Sequence, residues 1–329
     1  MDHNALFIVC VIVLAFLFDF TNGVHDAANT IAVIVTTGVL TPRQAVLWAA
    51  FFNFIAFLFF NLMVAKTIGY GLIDPSVITV KLIFAALSGA IVWNLVTWFF
   101  GLPSSSSHAL VGGLAGAAIV HAGMDSLKIA GFIKVVIGMC IFPLAGVFVG
   151  LMTTYAFTRW FRNRSVEKTN QVFKSLQLVS SALLSLTHGG NDAQKTMGVV
   201  AVLLYSASWL DDLGHIPLWV VISCNATIAL GTLMGGWRIV HTLGSKITPL
   251  NALRGCAAES GAAVVIFAAT DLGIPVSTTQ TMTGSIAGVG LLNGVKGVYW
   301  PMLRIIFVSW IMTIPAAGLV AGMIMFMAS

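Results

Sequence analysis

The chain repeats itself at a fixed spacing, and this repeat limits the architectures that it can adopt. Gly101-Leu-Pro-Ser-Ser-Ser-Ser-His108 matches Gly273-Ile-Pro-Val-Ser-Thr-Thr-Gln280 at an offset of 172 residues. The same offset matches further pairs: Asn53 with Asn225, Lys66 with Arg238, Gly112 with Gly284, Gly116 with Gly288, Pro143 with Pro315, Gly146 with Gly318, and Gly150 with Gly322. One offset that holds at separate places indicates gene duplication, and therefore two homologous halves.

A second pair of motifs carries an acidic residue between apolar segments. Thr21-Asn-Gly-Val-His-Asp-Ala-Ala-Asn-Thr30 and Thr187-His-Gly-Gly-Asn-Asp-Ala-Gln-Lys-Thr196 share Thr, Gly, Asp, Ala and Thr at the same places, with Asp26 matching Asp192. An Asp costs a few kcal/mol within a membrane segment, and such residues usually mark a pathway or a ligand site. The matched pair therefore predicts a functional site.

The composition predicts an all-α polytopic membrane protein. Of the 329 residues, 58% are hydrophobic and only 8% are charged, whereas soluble domains average roughly 25% charged residues. The alternating pattern of a membrane β-barrel is missing. The N-terminus lacks the basic region and cleavage site of a signal peptide, so we expect Leu6–Phe20 to remain in the mature protein. The pattern contains no recognisable enzyme site, dedicated metal site or cofactor motif, and we do not expect a nucleic-acid partner.

Each half is predicted to contain two interrupted apolar stretches and two ordinary spanning helices. The Asp motif interrupts residues 6–40 and 173–209, and the Gly-x-Pro-Ser motif interrupts 82–121 and 253–293. An unbroken helix of such length would exceed the roughly 30 Å hydrocarbon core. We therefore expect discontinuous or re-entrant half-helices that meet at the midplane. The spanning helices are predicted at Ala45–Val64, Pro217–Met234, Gly131–Thr158 and Val298–Met327.

The charges of the loops predict two repeats of inverted topology, at residues 1–160 and 175–329. The linker at 161–174, with the flanking Arg159, is rich in Arg and Lys, which predicts a cytoplasmic location. The basic bias also swaps between equivalent loops, as it does when repeats insert in opposite orientations. Both termini are then expected outside the cell.

The two Pro-Ser segments are candidate anion sites. A Pro at the start of a helix, with hydroxyl residues beside it, provides free N–H groups at the positive end of the helix dipole. The alternative is that the hydroxyls only cap buried helix ends. The candidate anion ligands are Ser104, Ser105, Ser106, Ser107, Ser277, Thr278, Thr279, Asn29 and Asn191.

The Asp motifs are candidates for holding a coupling cation. An anion beside two carboxylates is repelled unless H⁺, Na⁺ or a divalent metal compensates their charge. The candidate residues are Asp26, Asp192, Asn22 and His25; the alternative is that the carboxylates are structural caps. Several side chains have two open interpretations: Lys195 contacts the anion or pairs with Asp192, His108 caps a helix or lines the path, and Glu259 pairs with Arg254 or serves transport.

These motifs resemble the duplicated signature of the inorganic phosphate transporter (PiT) family. The similar segments are Gly23–Asn29, His188–Lys195, Gly101–His108, Gly273–Gln280 and Gly235–Val240. The resemblance extends over essentially the whole chain. The resemblance implies a symporter for inorganic phosphate that binds through Asp26, Asn29, Asn191, Asp192 and the Ser/Thr tips. His25, where many members carry Asn, resembles a bacterial low-affinity branch, which implies H⁺ coupling and transport of metal–phosphate complexes such as those with Mg²⁺.

The expected function is therefore cation-driven import of inorganic phosphate, with H⁺ favoured over Na⁺, across a bacterial inner membrane. A sulfate permease of the same fold and a passive anion channel are the alternatives, and a homodimer is compatible with the pattern. The large central loop of many PiT members is replaced by the short Arg159–Lys174 segment, and Gly190 stands where Ala is usual.

Overall fold

The computed structural model describes residues 3–212 and 214–328, and the regular structure in them is helical. The α-helices are α1 His3–Thr36, α2 Pro42–Ile55, α3 Met63–Gly71, α4 Val80–Phe100, α5 Ser106–Ala122, α6 Ile129–Phe161, α7 Val166–Ser206, α8 Leu218–Met234, α9 Trp237–Ser245, α10 Ala252–Asp271, α11 Thr278–Leu291 and α12 Trp300–Ala328. Short 3₁₀ turns lie at Ala56–Leu58, Pro75–Val77, Met124–Ser126 and Val295–Gly297.

The helices are those of a multi-pass membrane protein. Among the described residues, α1, α4, α6, α10 and α12 are long and apolar enough to cross a bilayer. The pairs α2–α3 and α8–α9 become long enough only when each is taken together, and they bend by 84° and 74°. The predicted all-α polytopic class is confirmed.

Helices α1 and α7, which begin the two halves, run antiparallel to each other. Thr196 Oγ1 donates to Asp19 Oδ1 over 2.9 Å, and Thr37 Oγ1 donates to Gln177 Oε1 over 2.9 Å. A residue in the middle of α1 thus contacts a late residue of α7, and the residue that follows α1 contacts an early residue of α7. Because α1 and α7 are equivalent elements, the two halves have opposite orientations, as the loop charges predicted.

The Gly-x-Pro-Ser elements are re-entrant hairpins. Backbone hydrogen bonds join the segment before α4 to the segment after α5: Lys128 N donates to Leu72 O over 2.8 Å, and Asp74 N donates to Ser126 O over 3.0 Å. The hairpin α4–α5 therefore enters and leaves on one side. In the second half, Tyr299 N donates to Ile247 O over 2.9 Å, which gives α10–α11 the same form.

The prediction that the Asp motifs break their helices was wrong. Helix α1 contains 34 residues and α7 contains 41, and both continue through the motif. No Pro interrupts either motif, and the polar side chains find partners on neighbouring helices, so the backbone has no need to open. Gly23 and Gly189 allow neighbouring helices to pack closely against α1 and α7. An added Cβ would collide with the backbone carbonyl oxygen of Ile228 at Gly23 and with that of Asn53 at Gly189.

The prediction of one ordinary spanning helix at Ala45–Val64 was also wrong, whereas the helix predicted at Pro217–Met234 is present as α8. Helix α2 ends at Ile55, and the chain bends before α3 begins at Met63. Gln194 of α7 stabilises the new helix start, since its Oε1 accepts from Val64 N over 3.0 Å and from Ala65 N over 3.3 Å. In the second half, Gly235 with φ +66° ends α8 before the bend.

The two halves are interleaved. Helix α6 of the first half packs against α10 and α11, and α12 of the second half packs against α4 and α5. The approach is close, since a Cβ at Gly116 would collide with Gly318 O and one at Gly284 would collide with Pro143 O. Helix α7 begins at Val166, so much of the basic 161–174 segment is helical. The boundaries predicted at residues 160 and 175 therefore describe repeats in the sequence. In the fold, the last helix of each repeat packs against the hairpin of the other repeat.

Candidate functional site

The two Asp motifs meet where α1 crosses α7. Asp26, Asp192 and His188 are buried, with exposed fractions of 2%, 0% and 0%. One potential ligand atom from each of the three lies within 4.8 Å of the other two. Two carboxylates at this separation repel each other strongly in a site without bulk water, so the arrangement favours a proton or a cation between them.

Each aspartate has a histidine partner on its own helix. His25 Nδ1 lies 2.7 Å from Asp26 Oδ1, and His188 Nε2 lies 3.4 Å from Asp192 Oδ2. Asn53 Nδ2 donates to Thr232 Oγ1, which leaves Asn53 Oδ1 to accept from His188 Nδ1 over 3.2 Å. In the neutral imidazole, the lone pair of Nε2 then faces a carboxylate, an arrangement that a shared proton or cation would satisfy.

The Ser/Thr tips begin α5 and α11, and one hydroxyl in each caps its helix. Ser105 Oγ accepts from His108 N, and Ser277 Oγ accepts from Gln280 N, each over 3.3 Å. The capping interpretation therefore holds for these two residues. The tips also touch each other through equivalent positions, since Gln280 Nε2 lies 3.4 Å from His108 Nδ1.

The other hydroxyls of the tips contact the aspartates. Ser106 Oγ donates to Asp26 Oδ2 over 3.3 Å, and Thr279 Oγ1 donates to Asp26 Oδ1 over 3.2 Å. Thr278 Oγ1 approaches Asp192 Oδ2 at 3.5 Å. The predicted anion ligands and cation ligands thus form one site. Ser104 lies beside it, with its Oγ 3.2 Å from His25 Nε2.

Asn29 and Lys195 occupy equivalent positions and contact opposite tips. Asn29 Nδ2 donates to Thr279 Oγ1 over 2.9 Å and to Thr278 Oγ1 over 3.3 Å. Lys195 Nζ donates to Ser107 Oγ over 2.5 Å and to Asp192 Oδ1 over 2.6 Å. Lys195 therefore pairs with Asp192, which was one of the two alternatives left open by the sequence. It also contacts Ser107, a candidate anion ligand, so the other alternative, contact with the anion, stays open.

Several buried carbonyl oxygens around the site accept no hydrogen bond. Within the described residues, these include the Oδ1 atoms of Asn22, Asn29 and Asn191. Asn191 turns its amide nitrogen to Thr270 Oγ1 over 2.8 Å. Buried acceptors without partners are rare in proteins and call for an explanation. Amide oxygens beside carboxylates are ligands that hard cations prefer, so this donor set fits a cargo cation.

Sequence reasoning missed three residues of the site. His188 joins the aspartates, Thr97 Oγ1 lies 3.1 Å from His25 Nε2, and Thr270 binds Asn191. His188 could have been found, because the motif alignment matches it with Asn22, a residue that the prediction included. Thr97 and Thr270 come from the re-entrant helices and carry no motif, so only the fold brings them in.

The predicted pairing of Glu259 with Arg254 was wrong. Glu259 is fully buried and contacts Ser180 and Gln177 of α7. Arg254 Nη1 donates instead to Pro249 O over 3.2 Å. Arg254 and Glu259 are five residues apart, or about 1.4 turns of helix, so they lie on different faces of α10. Arg254 lies near the exposed start of the helix, while Glu259 faces α7.

A large cavity lies beside this site rather than within it. Its volume is about 1610 Å³, and its walls come mainly from apolar side chains of α4, α6, α11 and α12. It approaches the site at Thr97 and also contacts Gln280. Because the walls are so apolar, the cavity offers poor ligands for an anion, and the polar site between the tips is the better candidate.

Inverted repeats, re-entrant hairpins and a polar site at their meeting point are the features of a membrane transporter fold that recurs among secondary transporters. The model of the phosphate transporter family matches residues 22–321, and the chain belongs to this family. A relative from Rhizobium meliloti is 54% identical, covering 100% of this chain and 99% of that protein. One from Bacillus subtilis is 40% identical, covering 97% and 96%. Both are named "probable low-affinity inorganic phosphate transporter".

A solved structure also has this fold. It is described as the sodium-dependent phosphate transporter, and it matches 98% of this chain and 99% of its own chain with a TM-score of 0.88. The sequence identity is 24%, so the likeness concerns the fold.

Proposed function

We propose that the chain imports inorganic phosphate together with a cation, H⁺ in preference to Na⁺. The observation that carries this proposal is the convergence of two hydroxyl-lined half-helix tips on a buried pair of aspartates with one lysine. Membership of the phosphate transporter family supports the choice of substrate.

Phosphate would bind between the tips of α5 and α11. The free N–H groups at the two helix starts and the positive ends of both dipoles favour a tetrahedral anion. Lys195 adds a positive charge that already reaches Ser107. The proposed ligands remain Ser104, Ser105, Ser106, Ser107, Ser277, Thr278, Thr279, Asn29 and Asn191, with Lys195 added. Ser105 and Ser277 would act mainly by holding the helix starts.

The cation would bind at Asp26 and Asp192, with His25, His188 and Asn22 around them. The hydroxyls of Ser106 and Thr279 now donate to Asp26. A cation that compensates the charge of Asp26 would free these two hydroxyls to donate to phosphate. Without the cation, the carboxylate would repel phosphate, and therefore neither ion would bind well alone. A divalent metal such as Mg²⁺ that travels with phosphate would meet the same need.

Transport would proceed by movement of one set of helices against the other, which exposes the site to each side in turn. The protein would lie in a bacterial inner membrane with both termini outside and the basic start of α7 in the cytoplasm. A homodimer is compatible with this arrangement.

The test is phosphate uptake into proteoliposomes under separately imposed H⁺ and Na⁺ gradients, with and without Mg²⁺. Asp26→Asn and Asp192→Asn should each abolish gradient-driven uptake while the purified protein stays folded. Asp125→Asn, at an exposed position, is the matched control. Uptake at the wild-type level in either site variant would overturn the assignment. Competition by sulfate as strong as that by phosphate would favour the sulfate permease, and uptake that never exceeds equilibrium would favour a channel.

A further inference from the structure

Glu259 is a buried carboxylate outside the central site. It lies near the middle of α10 with an exposed fraction of 0%. Ser180 Oγ lies 2.6 Å from its Oε2, and Gln177 Nε2 lies 3.1 Å from its Oε1. Gln177 Oε1 accepts in turn from Thr37 Oγ1. Glu259 thus connects α10 to α7 and, through Gln177, to Thr37, the residue that follows α1. Helices α1 and α7 carry the two aspartates.

The surroundings of Glu259 offer no charge compensation. Within the described part of the chain, no Lys, Arg or His nitrogen lies within 4.0 Å of its carboxylate oxygens. The side chains that bond to it are the uncharged Gln177 and Ser180 of α7, and Gln177 accepts in turn from the uncharged Thr37. The titratable neighbour is Cys256, one turn earlier on α10. An isolated carboxylate in such a place is costly, and accepting a proton removes the cost.

The hydrogen bonds match the neutral acid. Ser180 Oγ lies 3.2 Å from Gln177 O, to which its own proton can be donated. Ser180 Oγ can then accept a hydrogen bond from the protonated Glu259 Oε2, and the 2.6 Å separation suits an O–H···O bond. Glu259 Oε1 accepts from Gln177 Nε2 as a carbonyl. Each of these three hydrogen bonds then has one donor and one acceptor.

The position of Glu259 separates it from the cation ligands. Ser180 and Asp192 are twelve residues apart on one helix, which corresponds to about 18 Å. Glu259 lies toward the start of α7, the side proposed to be cytoplasmic. Its repeat equivalent is the apolar Leu87. A requirement of the common repeat fold therefore does not account for this acid.

We propose that Glu259 is a second proton-binding site, which holds a proton in the present conformation and releases it to the cytoplasm during the transport cycle. This inference rests on the proposed H⁺-coupled function. On release, the O–H bond of the carboxylic acid breaks, the electron pair stays on Oε2 and water takes the proton. The resulting carboxylate accepts from Ser180 instead of donating to it, and it leaves a buried negative charge without a positive partner. Because such a charge is costly away from water, the ionised state favours separation of α10 from α7 and entry of water. Helix α10 leads directly to the Ser277 tip, so proton release would favour movement of that tip.

The test uses the full-length protein in proteoliposomes with two separate assays. Phosphate–phosphate exchange at equal pH reports the central site, and net uptake under an inward H⁺ gradient reports proton coupling. Glu259→Gln imitates the neutral acid, because its Nε2 can donate to Ser180 and its Oε1 can accept from Gln177. We expect exchange within twofold of the wild type and loss of the stimulation by the gradient. Glu167→Gln, an exposed acid at the start of α7, is the control.

A second variant separates proton binding from a structural role. Glu259→Asp disturbs the packing more than Gln does but still titrates, so it should retain stimulation by the gradient with a shifted pH profile. Normal stimulation in Glu259→Gln would overturn the inference. If Glu259→Gln fails to fold, a pH profile for Glu259→Asp that equals the wild-type profile would overturn it instead. Failure of the wild type to exchange phosphate would contradict the proposed function.

Discussion

Lys195 and Ser107 meet at the centre of the molecule, with Nζ 2.5 Å from Oγ, although 88 residues separate them in the chain. The repeat-equivalent contact is the one between Asn29 and Thr279. Each central helix thus touches the hairpin tip of the opposite half, but only one of the two contacts brings a positive charge. This asymmetry gives the site one lysine for two aspartates.

Lys195→Met should abolish uptake and destabilise the protein. Its Nζ compensates Asp192 and also donates to Val276 O over 2.9 Å. Removal of one partner of a buried ion pair costs about 3–5 kcal/mol. Uptake in proteoliposomes and thermal unfolding in detergent measure the two effects. Lys174→Met, at an exposed position on the same helix, should leave both unchanged. A lysine needed only for structure would give a destabilised variant that still transports.

His188→Gln should weaken cation binding more than phosphate binding. The change removes the Nε2 atom that faces Asp192 over 3.4 Å, while an amide can still donate toward Asn53. We expect the cation concentration for half-maximal uptake to rise about tenfold, or ~1.4 kcal/mol. Uptake measured against pH and against Na⁺ identifies which ion responds. His121→Gln, at the exposed end of α5, is the control. An unchanged dependence on both ions would exclude His188 from the cation site.

Gly116→Ala should destabilise the fold without touching the site. Its Cβ would collide with the backbone of Gly318, where α5 packs against α12 of the other half. Overpacking of this kind costs about 1–3 kcal/mol. The midpoint of thermal unfolding in detergent measures it. Gly71→Ala is the matched control, since its Cβ would meet only a methyl group of Thr67 at 3.5 Å. Equal midpoints for the two variants would contradict the close packing of the halves.

Trp310→Phe should loosen the first tip selectively. Trp310 Nε1 donates to Pro103 O over 2.9 Å, and the equivalent position in the other half is Gly138. The lost hydrogen bond costs about 1 kcal/mol, and we expect the KM for phosphate to rise more than the maximal rate falls. Trp160→Phe, on an exposed side chain, should change neither. An effect on the maximal rate alone would indicate a role in movement rather than in holding the tip.

The duplicated motifs allowed much of the site to be predicted. Asp26 and Asp192 were paired by alignment, and the Pro-Ser segments were recognisable as half-helix starts, because Pro followed by hydroxyl residues favours that geometry. The same alignment contained His188 as the equivalent of Asn22. Thr97 and Thr270 could not be found, because a Thr within an apolar helix has no distinguishing pattern until the fold gives it a partner.

The main error in the predicted fold was the break expected in α1 and in α7, both of which are continuous helices. A polar decapeptide in an apolar stretch is compatible with either a break or a buried helix. The outcome depends on whether other elements supply partners for its side chains, and Ser106 and Thr279 supply them to Asp26. The opposite error occurred at Ala45–Val64, where an apolar sequence bends because Gln194 of a distant helix caps α3.

The sequence alone determined the membrane class, the duplication, the inverted orientation and the pairing of the Asp motifs, because these follow from hydropathy, spacing and charge along the chain. Only the tertiary structure decided that the hairpins re-enter, that the halves exchange their last helices, and that Lys195 reaches Ser107. Those features depend on which buried polar groups find partners across long separations in sequence. In an interior of low dielectric, a buried charge or an open helix end is stable only where another residue supplies its hydrogen-bond or ion-pair partner.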